Sequence, residues 1–345
     1  MKRFSFYFLI VTAVWLTSCD KNTELVPAGK FDRGVFVVNE GNFGSGDGSV
    51  SFINPNGEVT QSIFSQANNG ALLGDVVQSM YVADQMGFVV VNNSNRVEAV
   101  DINTFESRYS IVDAALPRYL VHQGAKGYLS EWVSFADPGR VTVFDLQTGE
   151  ISNRITTDFG AEQLLISGEK LFVSNNFSAT LSVIDLATES VDTTFTVGNG
   201  PGQMVADTDG SVWLICAGGY DANWNPALDG KIVKINPQTY EIMTTVALGM
   251  NVAGKLAASA DQAFLYFYTG KSVYAFLKTA NAPDLLFEET SATGFYGIGT
   301  DVAGTLYLAD AKGFQAAGEV YTYQPDGTFR EKYTVGRGPN GFLFR

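Results

Sequence analysis

An apolar run, a polar loop, a second run of alternating character and a tight turn recur seven times along this chain, and no other feature restricts its fold as much. The first runs are "VFVVN", "FVVVN", "YLSE", "LFVSN", "VWLIC", "FLYFY" and "LYLAD". The second runs are "SVSFINPNG", "RVEAVDINT", "RVTVFDLQT", "TLSVIDLAT", "KIVKINPQT", "SVYAFLKTA" and "EVYTYQPDG". Equivalent turn positions fall at Asn54, Asp101, Asp145, Asp185, Asn236, Leu277 and Gln324, spaced by 47, 44, 40, 51, 41 and 47 residues. Five of the seven are Asp or Asn, whose side chains accept hydrogen bonds from their own turn backbone, so their carboxylates and amides are expected to be structural. Period-2 alternation rich in Val, Ile, Tyr and Phe marks half-buried strands, and convincing helical stretches are absent.

Each unit also carries an apolar segment before its first run, such as "GQMVADTDG", and another behind its turn, such as "VDTTFTV". Four strands in roughly 45 residues is the size of a propeller blade. The body from Gly34 to Arg345 begins with the second strand of a unit and ends with the first, "VGRGPNGFLFR". The expected fold is therefore all-β: a seven-bladed β-propeller of four-stranded blades, closed by pairing the C-terminal strand with the three N-terminal ones so that no edge stays open.

The N-terminus reads as a targeting segment. Lys2 and Arg3 precede an apolar run to Ser18 that is shorter than the about 20 residues a spanning helix needs, which is the pattern of a signal peptide. It closes on "LTSC", which resembles the lipobox of bacterial lipoproteins; that resemblance implies cleavage after residue 18 and lipidation of Cys19. The expected organisation is a signal peptide over 1–18, a lipidated flexible tether over 19–33 and a propeller over 34–345. Membrane contact would come through the anchor only, at the outer membrane, on the cell surface or on its periplasmic face. Cys216 would be the remaining thiol, so no internal disulfide is possible, and in "SVWLICA" it reads as a buried inert cysteine. The formal charge of −14, or −16 without Lys2 and Arg3, argues against nucleic acid, whose binding needs cations against phosphate.

Units such as "VGNGPGQMVADTDGSVWLI" and "LFVSNNFSATLSVIDLATESV" resemble the YVTN or YncE-like propeller repeat over nearly the whole body. The opening "VFVVNEGNFGSGDGSVSFIN" resembles the start of surface lipoproteins of the Bacteroidota that share this propeller, a group that includes cobalamin-binding lipoproteins of the BtuG kind. The resemblance implies capture of cobalamin or a related corrinoid for an outer-membrane transporter barrel. The alternatives are a glycan or another nutrient as ligand, and a calcium-dependent hydrolase or lactonase.

In a four-stranded blade the loop leading into the innermost strand and the loop after the second strand open on the same end, over the central channel. The leading loops place Gln78, Arg118, Tyr119, Glu162, Gln163, Gln203, Lys255, Tyr296 and Asn340 around that mouth. The second loops add Asn39, Glu40, Asn42, Phe43, Asn92, Asn93, Glu131, Trp132, Asn175, Phe177, Tyr220, Trp224 and Phe314. Taken singly, each of these is as readily a solvated loop tip; as a ring, they mix amides with aromatics and few charges, which suits a large flat ligand bearing amides, or a sugar chain. Catalytic residues are not expected, nor is a required cofactor, with calcium in the channel the exception an enzymatic reading would need from Glu131, Glu162 and Asn340. His122 is the sole histidine, which removes His-ligated metal sites and His-dependent triads, and it reads as a packed residue. "DTDG" at Asp207 to Gly210 lacks the later ligands of a calcium loop and reads as a β-turn. The glycine-rich "NEGNFGSGDG" at Asn39 to Gly48 is followed by a strand, not by the helix N-terminus a phosphate loop requires, so it reads as a connection within the first blade.

Overall fold

The computed structural model describes Met1 and residues 29–345 apart from Trp224. The signal segment, Cys19 and most of the proposed tether therefore lie outside the described residues. Seven antiparallel four-stranded sheets follow one another around a ring. The innermost strands are Val77–Ala83, Pro117–Gln123, Ala161–Ser167, Pro201–Ala206, Ala257–Ala258 and Phe295–Thr300 in blades 2 to 7. In blade 1 that place is taken by the last strand of the chain, Pro339–Phe344, which pairs with Val35–Asn39 from Val35 opposite Phe344 to Asn39 opposite Pro339. The three-plus-one closure expected from the chain ends is the observed one.

The turns behave as their residue types require. Asn54 Oδ1 accepts from the amides of Asn56 and Glu58, Asp101 Oδ1 from those of Asn103 and Thr104, and Asp145, Asp185 and Asn236 repeat the pattern. Glycine in "DTDG" closes a turn by donating from Gly210 N to Asp207 O at 3.0 Å. The first blade departs from the repeat, because its outer strand stops after Val59–Thr60 and a short helix, Ile63–Ala67, follows. Ile63 and Phe64 turn inward there and join Phe31, Phe36, Phe52 and Phe105 in one buried cluster. Phe31, placed by sequence in the tether, is thus part of the packed body.

The core is divided among the interfaces between blades. Each pair of neighbouring blades encloses its own buried cluster, as alternation on a twisted sheet dictates. The cluster between blades 7 and 1 is the thinnest, with Val35, Val37, Ile53, Val320 and Val335. A cleft of about 930 Å³ opens along this seam at the end away from the leading loops, where Arg33, Arg330 and Arg345 stand among Asp301 and Glu331. Cys216 is buried, and desolvation pushes its thiol up to about 12, which leaves it inert. His122 Nδ1 meets the Tyr81 hydroxyl at 3.0 Å, the packed role expected of it.

Two partly buried carboxylates set the acid limit of this fold. Burial alone would raise Glu319, but Lys312, Lys332 and Tyr321 outweigh it and hold the group at about 2. Burial likewise opposes the charge on Asp207, and Trp213 Nε1 together with Lys278 and Lys234 keeps it well below the usual carboxylate range. Depressed folded values contribute stability that is present above the unfolded pKa, about 4, and is lost as pH falls through the folded one. The thermal midpoint, followed by circular dichroism, is expected to be level from about pH 7 to 5 and to fall between about pH 4 and 2. Asp207→Asn with Glu319→Gln should lower the plateau and flatten the fall; an unchanged acid limb in that variant would contradict the assignment.

Candidate functional site

The innermost strands all begin at one end of the ring, and in five blades the residue before the strand has positive φ: Val76 at 57°, Leu116 at 48°, Gly160 at 74°, Gly200 at 62° and Gly338 at 65°. Val and Leu in this region each store strain of about 1–3 kcal/mol, which the fixed blades impose. Glycine serves a second purpose at two of these positions. A Cβ on Gly160 would come within 2.7 Å of the Phe177 ring, and one on Gly338 within 2.7 Å of the Phe314 ring. The aromatic side chains can therefore lie down on the leading loops, at the rim of the channel.

A cavity of about 830 Å³ occupies this end. Blade 1 contributes Glu40, Asn42 and Phe43; blade 2 contributes Gln78, Asn92 and Asn93; blade 3 contributes Arg118, Tyr119, Trp132 and Phe135. Glu162 enters from blade 4, Lys255 and Tyr268 from blade 6, and Tyr296, Phe314 and Gln315 from blade 7. The volume lies within the range of small-molecule sites, and the mixture of aromatic walls with convergent polar groups is what such sites require.

The floor is a fixed polar network that crosses blades. Arg118 meets Glu162 through two parallel bonds, Nε to Oε2 and Nη2 to Oε1, each 2.8 Å, and donates from Nη1 to Gln78 Oε1 at 2.5 Å. Its guanidinium also lies 3.8 Å from the centre of the Trp132 ring, whose Nε1 donates to Glu162 Oε2 at 2.8 Å. Burial alone would lower the Arg118 pKa, and Glu162 more than offsets it, so the cation is held charged. Gln78 Nε2 donates to the Tyr119 hydroxyl at 3.1 Å. On the far side, Glu40 accepts from the Tyr296 hydroxyl at 3.1 Å and from Asn340 Nδ2 at 2.8 Å. Lys255 Nζ donates to the carbonyls of Tyr296 at 2.7 Å and Asn340 at 2.6 Å, tying blade 6 to blades 7 and 1. Desolvation, partly opposed by Glu40, lowers Lys255 to about 8. The same desolvation raises Tyr119, Tyr268 and Tyr296, so their hydroxyls stay protonated.

Two aromatic walls rise above this floor. Trp132 and Phe177 sit with ring centres 4.9 Å apart, and Phe135 stands 5.8 Å from Trp132 and 6.0 Å from Phe177. Opposite, Tyr296 meets Phe314 edge-on at 5.3 Å, and Phe43 projects from the glycine-rich loop. That loop holds no helix terminus; Asp47 Oδ1 accepts from Asn42 N at 2.7 Å and Asp75 Oδ2 from Gly44 N at 2.9 Å, which pins the loop over the cavity. Phe43 and Phe135 are 75% and 77% exposed, an outlay of apolar surface that burial under a ligand would recover.

The remaining sequence candidates are placed otherwise. Asn39, Glu131 and Asn175 end the second strands of their blades and turn inward, buried. Asn39 Nδ2 bonds Ser51 Oγ, Asn175 Nδ2 bonds Ser182 Oγ, and Glu131 takes Arg140, Thr142 and the amide of Ala115. Asn340 is buried beneath the floor as the partner of Glu40. Gln203 Oε1 accepts from Leu256 N at 3.2 Å, and neither Gln203 nor Gln163 lines the cavity. Phe177 backs the aromatic wall. Within Ala217 to Gly230, Gly219–Tyr220 pairs with Pro226–Leu228 as a small ribbon that leaves Tyr220 55% exposed and away from the cavity; Trp224 lies outside the described residues. The residues the sequence reading missed include the aromatic pair Phe135 and Tyr268. A signal for each exists: Phe135 lies in the insertion "WVSFADPG", and Tyr268 ends the aromatic strand "FLYFY".

The model of a family described as a domain of unknown function, DUF5074, matches residues 33–326. None of the curated proteins matches the chain in sequence. Among solved structures, a quinoprotein alcohol dehydrogenase-like protein from Bacteroides thetaiotaomicron is 16% identical, with a TM-score of 0.71 over 91% of this chain and 78% of that one. A periplasmic gluconolactonase from Pseudomonas aeruginosa is 15% identical, with a TM-score of 0.66 over 90% of this chain and 99% of that one. A functionally unknown protein from Desulfotomaculum acetoxidans is 10% identical, with a TM-score of 0.69 over 90% of this chain and 98% of that one. At these identities the likeness is one of fold.

Proposed function

The chain belongs to the DUF5074 family, and we propose that its propeller is a lipid-anchored binding protein that captures cobalamin or a related corrinoid in the funnel and passes it to an outer-membrane transporter. The observation that carries this reading is the pairing of two aromatic walls with a rigid floor of amide, guanidinium and hydroxyl groups. A broad flat ligand bearing amides can stack along Phe135 and Phe43 while its edge groups exchange hydrogen bonds with Gln78, Asn42 and Asn93. The path of the chain supports it. Val35–Asn39 runs toward the funnel end, and Gly29 lies against Asn103 in a turn at the opposite end, so the described body starts on the face away from the funnel.

Calorimetry with cyanocobalamin at micromolar protein is expected to give a saturable heat. Phe43→Ala with Phe135→Ala should weaken it at least about tenfold, since two stacking contacts are each worth about 0.5–1.5 kcal/mol beyond area burial. Absence of heat in the wild type would remove the corrinoid version. The Trp132, Phe135 and Phe177 platform also fits a sugar face, and a glycan-array signal lost in Trp132→Ala would then replace it. Lactonases share this architecture. Here the acids such chemistry would enlist are already engaged, Glu162 by Arg118 and Glu131 by Arg140. Among the described residues no group of three or more His, Cys, Asp or Glu is arranged to hold a metal ion. Binding without chemistry is the function put forward.

A further inference from the structure

Three hydrogen-bond donors at the base of the funnel have no acceptor. Lys255 Nζ donates to the carbonyls of Tyr296 and Asn340, so its ammonium keeps a third N–H without an acceptor among the described residues. Tyr268 lines the cavity and is only 3% exposed, and its hydroxyl has no hydrogen-bond partner among those residues. That hydroxyl stands within electrostatic reach of Tyr119, Tyr296 and Glu40, three residues that line the same cavity. The Tyr119 hydroxyl accepts from Gln78 Nε2 at 3.1 Å and gives its own proton to no described residue. Leaving a nearly buried donor unpaired is costly, and folded proteins ordinarily supply such groups with a partner. The nearby acids do not serve these donors. Glu162 is taken by Arg118 and by Trp132 Nε1, and Glu40 by the Tyr296 hydroxyl and Asn340 Nδ2. Arg118 and Glu162 cancel as a pair, whereas the hydrogen bonds of Lys255 go to neutral acceptors alone. Lys255 is therefore a cation without a bonded anion in an enclosed site, where charge-assisted bonds are strong. Desolvation lowers it to about 8, with Glu40 and Glu162 favouring the charge and Arg118 opposing it, so about nine in ten molecules carry the ammonium at pH 7.

We propose that the base of the funnel is a seat for an anionic oxygen group, a carboxylate in the simplest case, held by Lys255 Nζ and the Tyr268 and Tyr119 hydroxyls while the body of the ligand lies between the aromatic walls. A carboxylate brings two oxygens, about four lone-pair sites and no proton, which matches a set of donors without acceptors. A primary amide brings one acceptor oxygen and two N–H donors, which would face the Lys255 ammonium. Hydroxyls can turn to accept from an amide; the ammonium cannot. The inference rests on the proposed function only in taking the funnel as a binding site, and it does not require the ligand to be a corrinoid.

The test is fluorine NMR titration of the full chain at pH 7 with para-fluorobenzoate and, separately, para-fluorobenzamide. The acid is expected to bind at least about tenfold more tightly than the amide, the difference between charge-assisted and neutral bonds. Tyr268→Phe, which keeps the ring, and Lys255→Met should each weaken the acid at least about fivefold and leave the amide unchanged. Equal affinities for the two fragments overturn the inference on the wild type alone, and so does a wild type that binds neither up to about 10 mM. Acid binding unchanged in either variant overturns it as well, since the acid would then sit elsewhere, as at the arginines of the cleft between blades 7 and 1. Cyanocobalamin heat without a preference for the acid removes this inference alone. A preference for the acid without cyanocobalamin heat removes the corrinoid reading alone.

Discussion

A chain ending at Gly338 is expected to lose cooperative folding altogether. The seven residues removed supply the innermost strand of blade 1, whose ladder to Val35–Asn39 joins the two ends of the ring. Without it, Val35–Asn39 becomes an open edge facing the channel, and blade 7 loses its neighbour. Little else holds the seam, because the buried cluster there is the thinnest of the seven, and much of the remaining contact is made by Phe342 and Phe344 against Tyr307, with ring centres 5.7 and 5.1 Å away. Phe342, Leu343 and Phe344 are half-buried, so removing them from an apolar setting costs up to about 1.5–3 kcal/mol each, and the lost ladder adds to this, against a total stability of about 5–15 kcal/mol for a typical protein. Far-ultraviolet circular dichroism and urea titration should show a broad, low-midpoint transition, and a peptide of residues 339–345 added in trans should sharpen it. A truncated chain that melts like the full one would mean that the ring is not held by this strand.

Arg118→Ala is expected to destabilise by about 3–5 kcal/mol, the usual result of removing one partner of a buried pair. The magnitude follows from what is left behind. Arg118 and Glu162 side chains are only 12% and 11% exposed, so little solvent screening discounts the pair, and the alanine leaves the Glu162 carboxylate with Trp132 Nε1 as its remaining side-chain donor. Gln78 loses the donor to its Oε1, and Trp132 loses the cation on its face. Arg118→Lys should recover little, because an ammonium reproduces neither the paired hydrogen bonds to Glu162 nor the stacked plane. Arg118→Met with Glu162→Met should recover most of the loss, since the pair then disappears without stranding a charge. Thermal melts of the four proteins test this, and ligand titration on the double variant reads the binding share separately. A fall of less than about 1 kcal/mol in Arg118→Ala would show that the pair behaves as an exposed one.

Seven units, their strands and the capped turns were legible in the chain because each depends on residues close in sequence, and the closure because the body starts on the second strand of a unit and finishes on the first. Alternation with a period of two sets which face of a strand is buried, and Asn54, Asp101, Asp145, Asp185 and Asn236 cap the turns in which they themselves stand. The location of the site was legible for the same reason, since strand order decides which loops share an end. What the sequence could not decide was the direction of each side chain at that end. Asn39, Glu131 and Asn175 stand where Val91 stands in blade 2 and turn into their own blades, where Ser51, Thr142 and Ser182 receive them, whereas Asn92 lies one residue beyond its strand and lines the cavity. Arg118 and Lys255 take their roles from Glu162, Tyr296 and Asn340, about 41 to 85 residues away in the chain and on other blades. Such partners meet only when the ring closes, and the burial that lowers Lys255 and that Glu162 offsets at Arg118 exists only in the enclosed mouth that closure creates.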